Sequence, residues 1–99
     1  MTLRILAVGY NPAIMKVVER LLNSHEGWQG VVALTREEGL KKLNGDLYDA
    51  VLLCVGVTET DEVEFRKAAT NQTKVIRHYG GGSGLLENEI RSAVSDTRL

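Results

Sequence analysis

Two runs in this chain are apolar at almost every position, and they restrict the fold more than any other feature. Leu3-Arg-Ile-Leu-Ala-Val8 lies near the start, and Ala50-Val-Leu-Leu-Cys-Val-Gly-Val57 lies at the middle. A strand with one wet face alternates apolar and polar residues, whereas a strand covered on both faces reads as a near-continuous apolar run. Both runs are therefore predicted as central strands of a parallel sheet with helices on both sides.

The intervening segments supply those helices. Gly9-Tyr10-Asn11-Pro12 breaks the first run, with Asn11 suited to an N-cap and Pro12 to the first helical position, where its missing N–H costs nothing. Ile14, Val17, Val18, Leu21 and Leu22 then form the inward stripe of a helix that ends between Asn23 and Gly27. Trp28 to Leu34 is a second strand. Thr35 and Glu38 have the spacing of a capping box; Leu40 and Leu43 face inward, and Gly45 is the stop. Thr58 to Thr60 can cap a third helix running to about Ala69, carrying Val63, Phe65 and Ala68. Lys74 to Tyr79 is a fourth strand. Lys74, Arg77 and His78 interrupt its apolar residues, as suits an edge strand that must not pair with another chain. After Gly80-Gly81-Gly82-Ser83-Gly84, a last helix runs to about Ser95 with Leu86, Ile90, Ala93 and Val94 inward.

Four β-α repeats predict an α/β fold: an open, mostly parallel four-stranded sheet with right-handed crossovers and helices on both faces. The chain has 99 residues, 43% of them hydrophobic, which suits a single domain spanning 1–99. Ligands of such sheets bind outside the carboxyl ends of the strands. The loops at Gly9–Asn11, Leu34–Thr35, Gly56–Thr60 and Tyr79–Gly84 therefore bear on function.

Charge narrows the partners. A quarter of the residues are charged, signs are interspersed and the net charge is −1, so no basic face for nucleic acid is expected. Cys54 is the only cysteine, which rules out an internal disulfide and suits a reducing compartment. No run is long enough to span a membrane, and Met1-Thr2-Leu3-Arg4 does not open a signal peptide, so a cytoplasmic location without membrane attachment is expected.

Two stretches carry a family resemblance. Arg4-Ile-Leu-Ala-Val-Gly-Tyr-Asn-Pro-Ala-Ile-Met-Lys-Val-Val-Glu-Arg-Leu-Leu22 is similar to the opening of a response-regulator receiver (CheY-like) domain, in which a strand ends in an acidic pair before Asn/Glu-Pro and an amphipathic helix. Tyr48-Asp-Ala-Val-Leu-Leu-Cys-Val-Gly-Val57 resembles the third receiver strand, which ends in the phosphoacceptor aspartate. Ala33-Leu-Thr-Arg-Glu-Glu-Gly-Leu40 resembles the second strand and helix. The resemblance implies the flavodoxin-like strand order 2-1-3-4. It also puts Gly9 and Tyr10 where the acidic pair would stand and Cys54 where the phosphoacceptor would stand. A hard Mg²⁺ ion needs oxygen ligands; glycine offers none, a neutral phenol is a poor one and a thiol is mismatched. Glu59, Asp61 and Glu62 read instead as a helix start, where acids suit the dipole. A receiver has five β-α units and this chain has length for four. Residues 74–94 match either the fourth unit or the fifth, and one side of the sheet or its helix layer is expected to be less covered, a surface for a homodimer or another protein partner.

The expected function is that of a degenerate receiver-like interaction or signalling module that works without phosphorylation, with no catalysis, metal or cofactor. Its partner is a protein, a second copy of the chain included. The alternative from another class is a small-anion or nucleotide-binding domain. Gly80, Gly81, Gly82, Ser83 and Gly84 would turn backbone N–H groups on the ligand, with His78 beside them, although a simple turn with Ser83 as N-cap fits the same residues. Cys54 is read as a small buried hydrophobe rather than a nucleophile, His25 as a surface residue at a helix end, and Tyr10 as a plug over the vacated pocket.

Overall fold

The computed structural model describes residues 2–70, 72–78, 88 and 90–92. Elements alternate as expected: β1 (Leu3–Val8), α1 (Pro12–Asn23), β2 (Trp28–Ala33), α2 (Arg36–Gly45), β3 (Ala50–Leu53), α3 (Glu59–Ala68) and β4 (Lys74–Arg77). All pairings are parallel and the strand order is β2-β1-β3-β4. β3 and β4 are shorter than the predicted strands, ending at Leu53 and Arg77.

Alternation along the central strands builds two cores. Leu3, Ile5, Ala7, Ala50, Leu52 and Cys54 pack on one face with Met15, Val18 and Leu22 of α1. Leu6, Val8, Val51 and Leu53 pack on the other with Leu43 of α2 and Phe65 of α3. Right-handed crossovers dictate this split, since β1 to β2 runs one way along the sheet while β2 to β3 and β3 to β4 run the other. Phe65 is fully buried, and covering a ring of that size contributes about 1.5–3 kcal/mol.

The inward stripe of α1 is Met15, Val18 and Leu22, one position off part of the sequence reading; Ile14 and Val17 are 44% and 45% exposed. The helix is set by its start: Asn11 Oδ1 accepts from Ile14 N at 3.1 Å with Pro12 in the first turn. The Thr35 cap also forms, but Glu38 does not close the box. Its carboxylate accepts from Leu34 N at 2.7 Å, outside the helix. The complete capping box lies on α3, where Thr58 and Asp61 bond each other's backbone N–H. Gly45 ends α2 without a positive φ, and Asp46 is the extended C-cap.

The two edges of a parallel sheet carry outward N–H and C=O groups. On β2, Leu3 N and Gly9 N bond Gly27 O and Ala33 O, so the odd residues face β1 and the even ones face outward. Trp28 N donates to His25 O, and the Asn23 carboxamide both accepts from Gly30 N at 2.9 Å and donates to Gly30 O at 3.1 Å. With Leu34 N held by Glu38, that edge is largely sealed by the chain itself.

β4 stands beside β3, the fourth place in the order. Asn88, Ile90, Arg91 and Ser92 are helical, and Ile90 is fully buried in the α1-side core. A crossover to another parallel strand beyond β4 would run over the α2/α3 face instead. Strand and helix of the last unit therefore occupy places that do not belong to one further β-α-β step.

Candidate functional site

The carboxyl ends of β1 and β3 define the site, because the ladder continues one step past each strand. Gly9 N donates to Ala33 O at 3.1 Å, Cys54 N to Val8 O at 2.7 Å and Tyr10 N to Val55 O at 2.9 Å. These bonds bring Gly9, Tyr10 and Cys54 together. On the β4 side, His78 N donates to Leu53 O at 2.9 Å, so His78 stands at the same end of the sheet. Gly80, Gly81, Gly82, Ser83 and Gly84 lie outside the described residues.

The site is filled. A Cβ on Gly9 would overlap Met15 Sδ and come within 3.1 Å of both Met15 Cγ and Cys54 Cβ. Met15 is 1% exposed and Cys54 5%, so the thioether and the thiol belong to the α1-side core. Cys54 is a buried free thiol.

Tyr10 closes the mouth. Its ring lies against Gly56, whose φ of +89° and proximity both exclude a side chain: a Cβ there would stand 3.1 Å from Tyr10 Cβ and 3.2 Å from Cδ2. The hydroxyl donates to Asp61 Oδ2 at 2.8 Å. Asp61 also accepts from Thr58 N at 3.4 Å and meets Arg36 Nη1 at 3.6 Å through Oδ1. Burial, then the bond to Asp61, raises the Tyr10 pKa above the ordinary phenol value. The Tyr10 hydroxyl, with smaller help from Thr58, holds the Asp61 carboxyl below the usual range. Tyr10 is thus neutral, Asp61 charged, and three loops are pinned at one point.

This arrangement can do little metal chemistry. Asp61 is the carboxylate bonded into the site, and it is committed to Tyr10, Thr58 and Arg36. Glu62 is paired with Arg66 at 2.8 Å and with Arg77 at 3.7 Å. No three His, Cys, Asp or Glu residues gather among the described residues. Sequence reasoning yields Tyr10 as a plug but misses its anchor: it takes Asp61 only as a helix-start acid, and the Thr58–Asp61 spacing is the available signal. His25 packs against Trp28 with ring centroids 4.4 Å apart and the rings tilted by 41°, away from the carboxyl ends of the strands, and the Arg91 guanidinium lies 5.4 Å from the Trp28 ring.

Comparison with protein-family models and with curated protein sequences finds no match. Solved structures do match. A response regulator receiver domain protein (CheY-like) from Methanospirillum hungatei is similar at a TM-score of 0.72 and 17% identity, covering 99% of this chain and 98% of that one. The chemotaxis protein CheY4 of Vibrio cholerae is similar at 0.64 and 12% identity, covering 94% and 99%. A structure of the histidine kinase ThkA in complex with the response regulator protein TrrA matches at 0.68 and 26% identity, covering 98% of each chain. These likenesses, with the strand order, make the fold that of a receiver-like domain.

Proposed function

We propose that this receiver-like domain is a signalling module that acts through protein contacts and without phosphorylation or catalysis. One observation carries the reading: the strand ends where the resemblance puts three carboxylates are packed with Met15, Cys54 and a neutral Tyr10. Transfer of a phosphoryl group to such a site needs a carboxylate acceptor and a cation held by hard oxygen ligands. Gly9 and Cys54 provide neither, and Tyr10 offers only a neutral hydroxyl whose hydrogen is donated to Asp61.

Protein contact is supported by α1. Pro12, Ala13, Ile14 and Val17 are exposed apolar residues on one helix, with Lys16 and Arg20 on its flank. Such a patch favours association with another protein surface. The similar response regulator protein TrrA is found in complex with the histidine kinase ThkA. In this reading the partner is a protein, a second copy of the chain included, met in the cytoplasm. No described helix is long and apolar enough to cross a membrane.

The test is intact mass after incubation with acetyl phosphate and Mg²⁺. The expected result is an unchanged mass; a phosphoryl adduct on the native chain overturns the reading.

A further inference from the structure

We propose that Met15 is an internal lock on the vacated site, so that restoring acidic residues at positions 9, 10 and 54 does not restore a cation site while Met15 is present. The inference deepens the reading above and takes from it only the three positions. It stands on packing. Gly9 has no room for a first side-chain carbon, because Met15 Sδ occupies that volume and Met15 Cγ lies 3.1 Å from it. The obstructing sulfur lies near the end of an unbranched side chain, but that end is enclosed. Met15 is 1% exposed and packed in the core among residues of β1, β3 and α1, and an interior at that density yields only by shifting its neighbours.

The backbone cannot move aside either. Gly9 N is held by Ala33 O, Tyr10 N by Val55 O, and Cys54 N by Val8 O. Tyr10 is fixed by Asp61 and by Gly56. An aspartate at position 9 therefore has to displace Met15, whichever way its carboxylate turns. The loss of the acids and the filling of their space are two separate features, and reversing the first leaves the second.

Two measurements test the lock. The first is a stability cycle on the native chain with Gly9→Ala, Met15→Ala and the double variant, read by urea unfolding. The cost of Gly9→Ala falls by about tenfold in the folding equilibrium constant when Met15 is alanine, the coupling expected of residues in contact. An equal cost in both backgrounds overturns the proposal. The second compares Gly9→Asp/Tyr10→Asp/Cys54→Asp with and without Met15→Ala, using Mg²⁺ as the probe. At about a hundred times its Kd, a bound ion raises Tm by roughly 10 °C or more. The rise is expected only with Met15 removed; a rise with Met15 present overturns the proposal. Where an acid-bearing variant does not fold, the alanine cycle decides alone. A failed lock leaves the acetyl phosphate result on the native chain untouched, so the two readings fail separately.

Discussion

Replacing Tyr10 by phenylalanine removes one hydroxyl and leaves the ring against Gly56. The lost bond is 2.8 Å long and ends on a carboxylate whose side chain is 13% exposed. Hydrogen bonds to charged groups contribute about 1.5–3 kcal/mol when buried. Partial exposure, and the contacts Asp61 keeps with Thr58 and Arg36, bring the expected cost down to about 1 kcal/mol. For a domain of this size that is about 4–8 °C in Tm. The pH dependence identifies the cause. The Tyr10 bond depresses the folded Asp61 pKa below its ordinary 3.8, so its contribution is complete above that pH. It is lost as pH falls through the lower folded value. At the alkaline end, Tyr10 in the unfolded chain ionises near pH 10 while the folded residue stays protonated. Native stability therefore drops as pH rises beyond about 10, and the phenylalanine variant is spared that loss. Urea midpoints of the two proteins should differ most across the neutral range and converge at both ends. A difference that is absent at pH 7, or that does not change with pH, refutes the reasoning, as does an undiminished effect in an Asp61→Asn background.

Asn23→Ala removes both bonds to Gly30 and a third to Glu19 O at 2.9 Å. A loss of about 1–2 kcal/mol is expected in urea unfolding, with concentration-dependent association by light scattering as the β2 edge opens; unchanged stability and mass would count against the seal. Gly39→Ala puts a Cβ 2.8 Å from Phe65 Cζ and 3.0 Å from Val8 Cγ2. Overpacking of about 1–3 kcal/mol should outweigh the better helix propensity of alanine, so thermal melting should show a net loss; a gain would mean that the Phe65 ring yields.

The strands, the order of elements and the parallel sheet are legible in the sequence because β1 and β3 are buried on both faces and leave almost no polar position to obscure the pattern. The caps at Asn11 and Thr35 are legible because a cap is a local device. The outward turn of Ile14 is not legible: Met15, Val18 and Leu22 satisfy helical spacing as well as a stripe through Ile14 does, and only the sheet decides which turns inward. The link between Tyr10 and Asp61 spans nearly two β-α units, and no local pattern encodes it. That Gly9 lacks a carboxylate is plain from the sequence, but that Met15 fills its space depends on how deep α1 sits on β1. The glycine loop at 80–84 lies outside the described residues.

Gly9 and Tyr10 are neighbours in the chain, yet they answer to opposite sides of the sheet. Gly9 abuts Met15 and Cys54 of the α1-side core, while Tyr10 packs against the core under α2 and α3 and reaches both helices through Asp61 and Arg36. The dipeptide is thus a mechanical junction. Packing of α1 reaches residue 9 through Met15, and packing of α2 and α3 reaches the next residue through Asp61 and Arg36. Two helical layers on opposite faces of the sheet thus meet at one peptide unit.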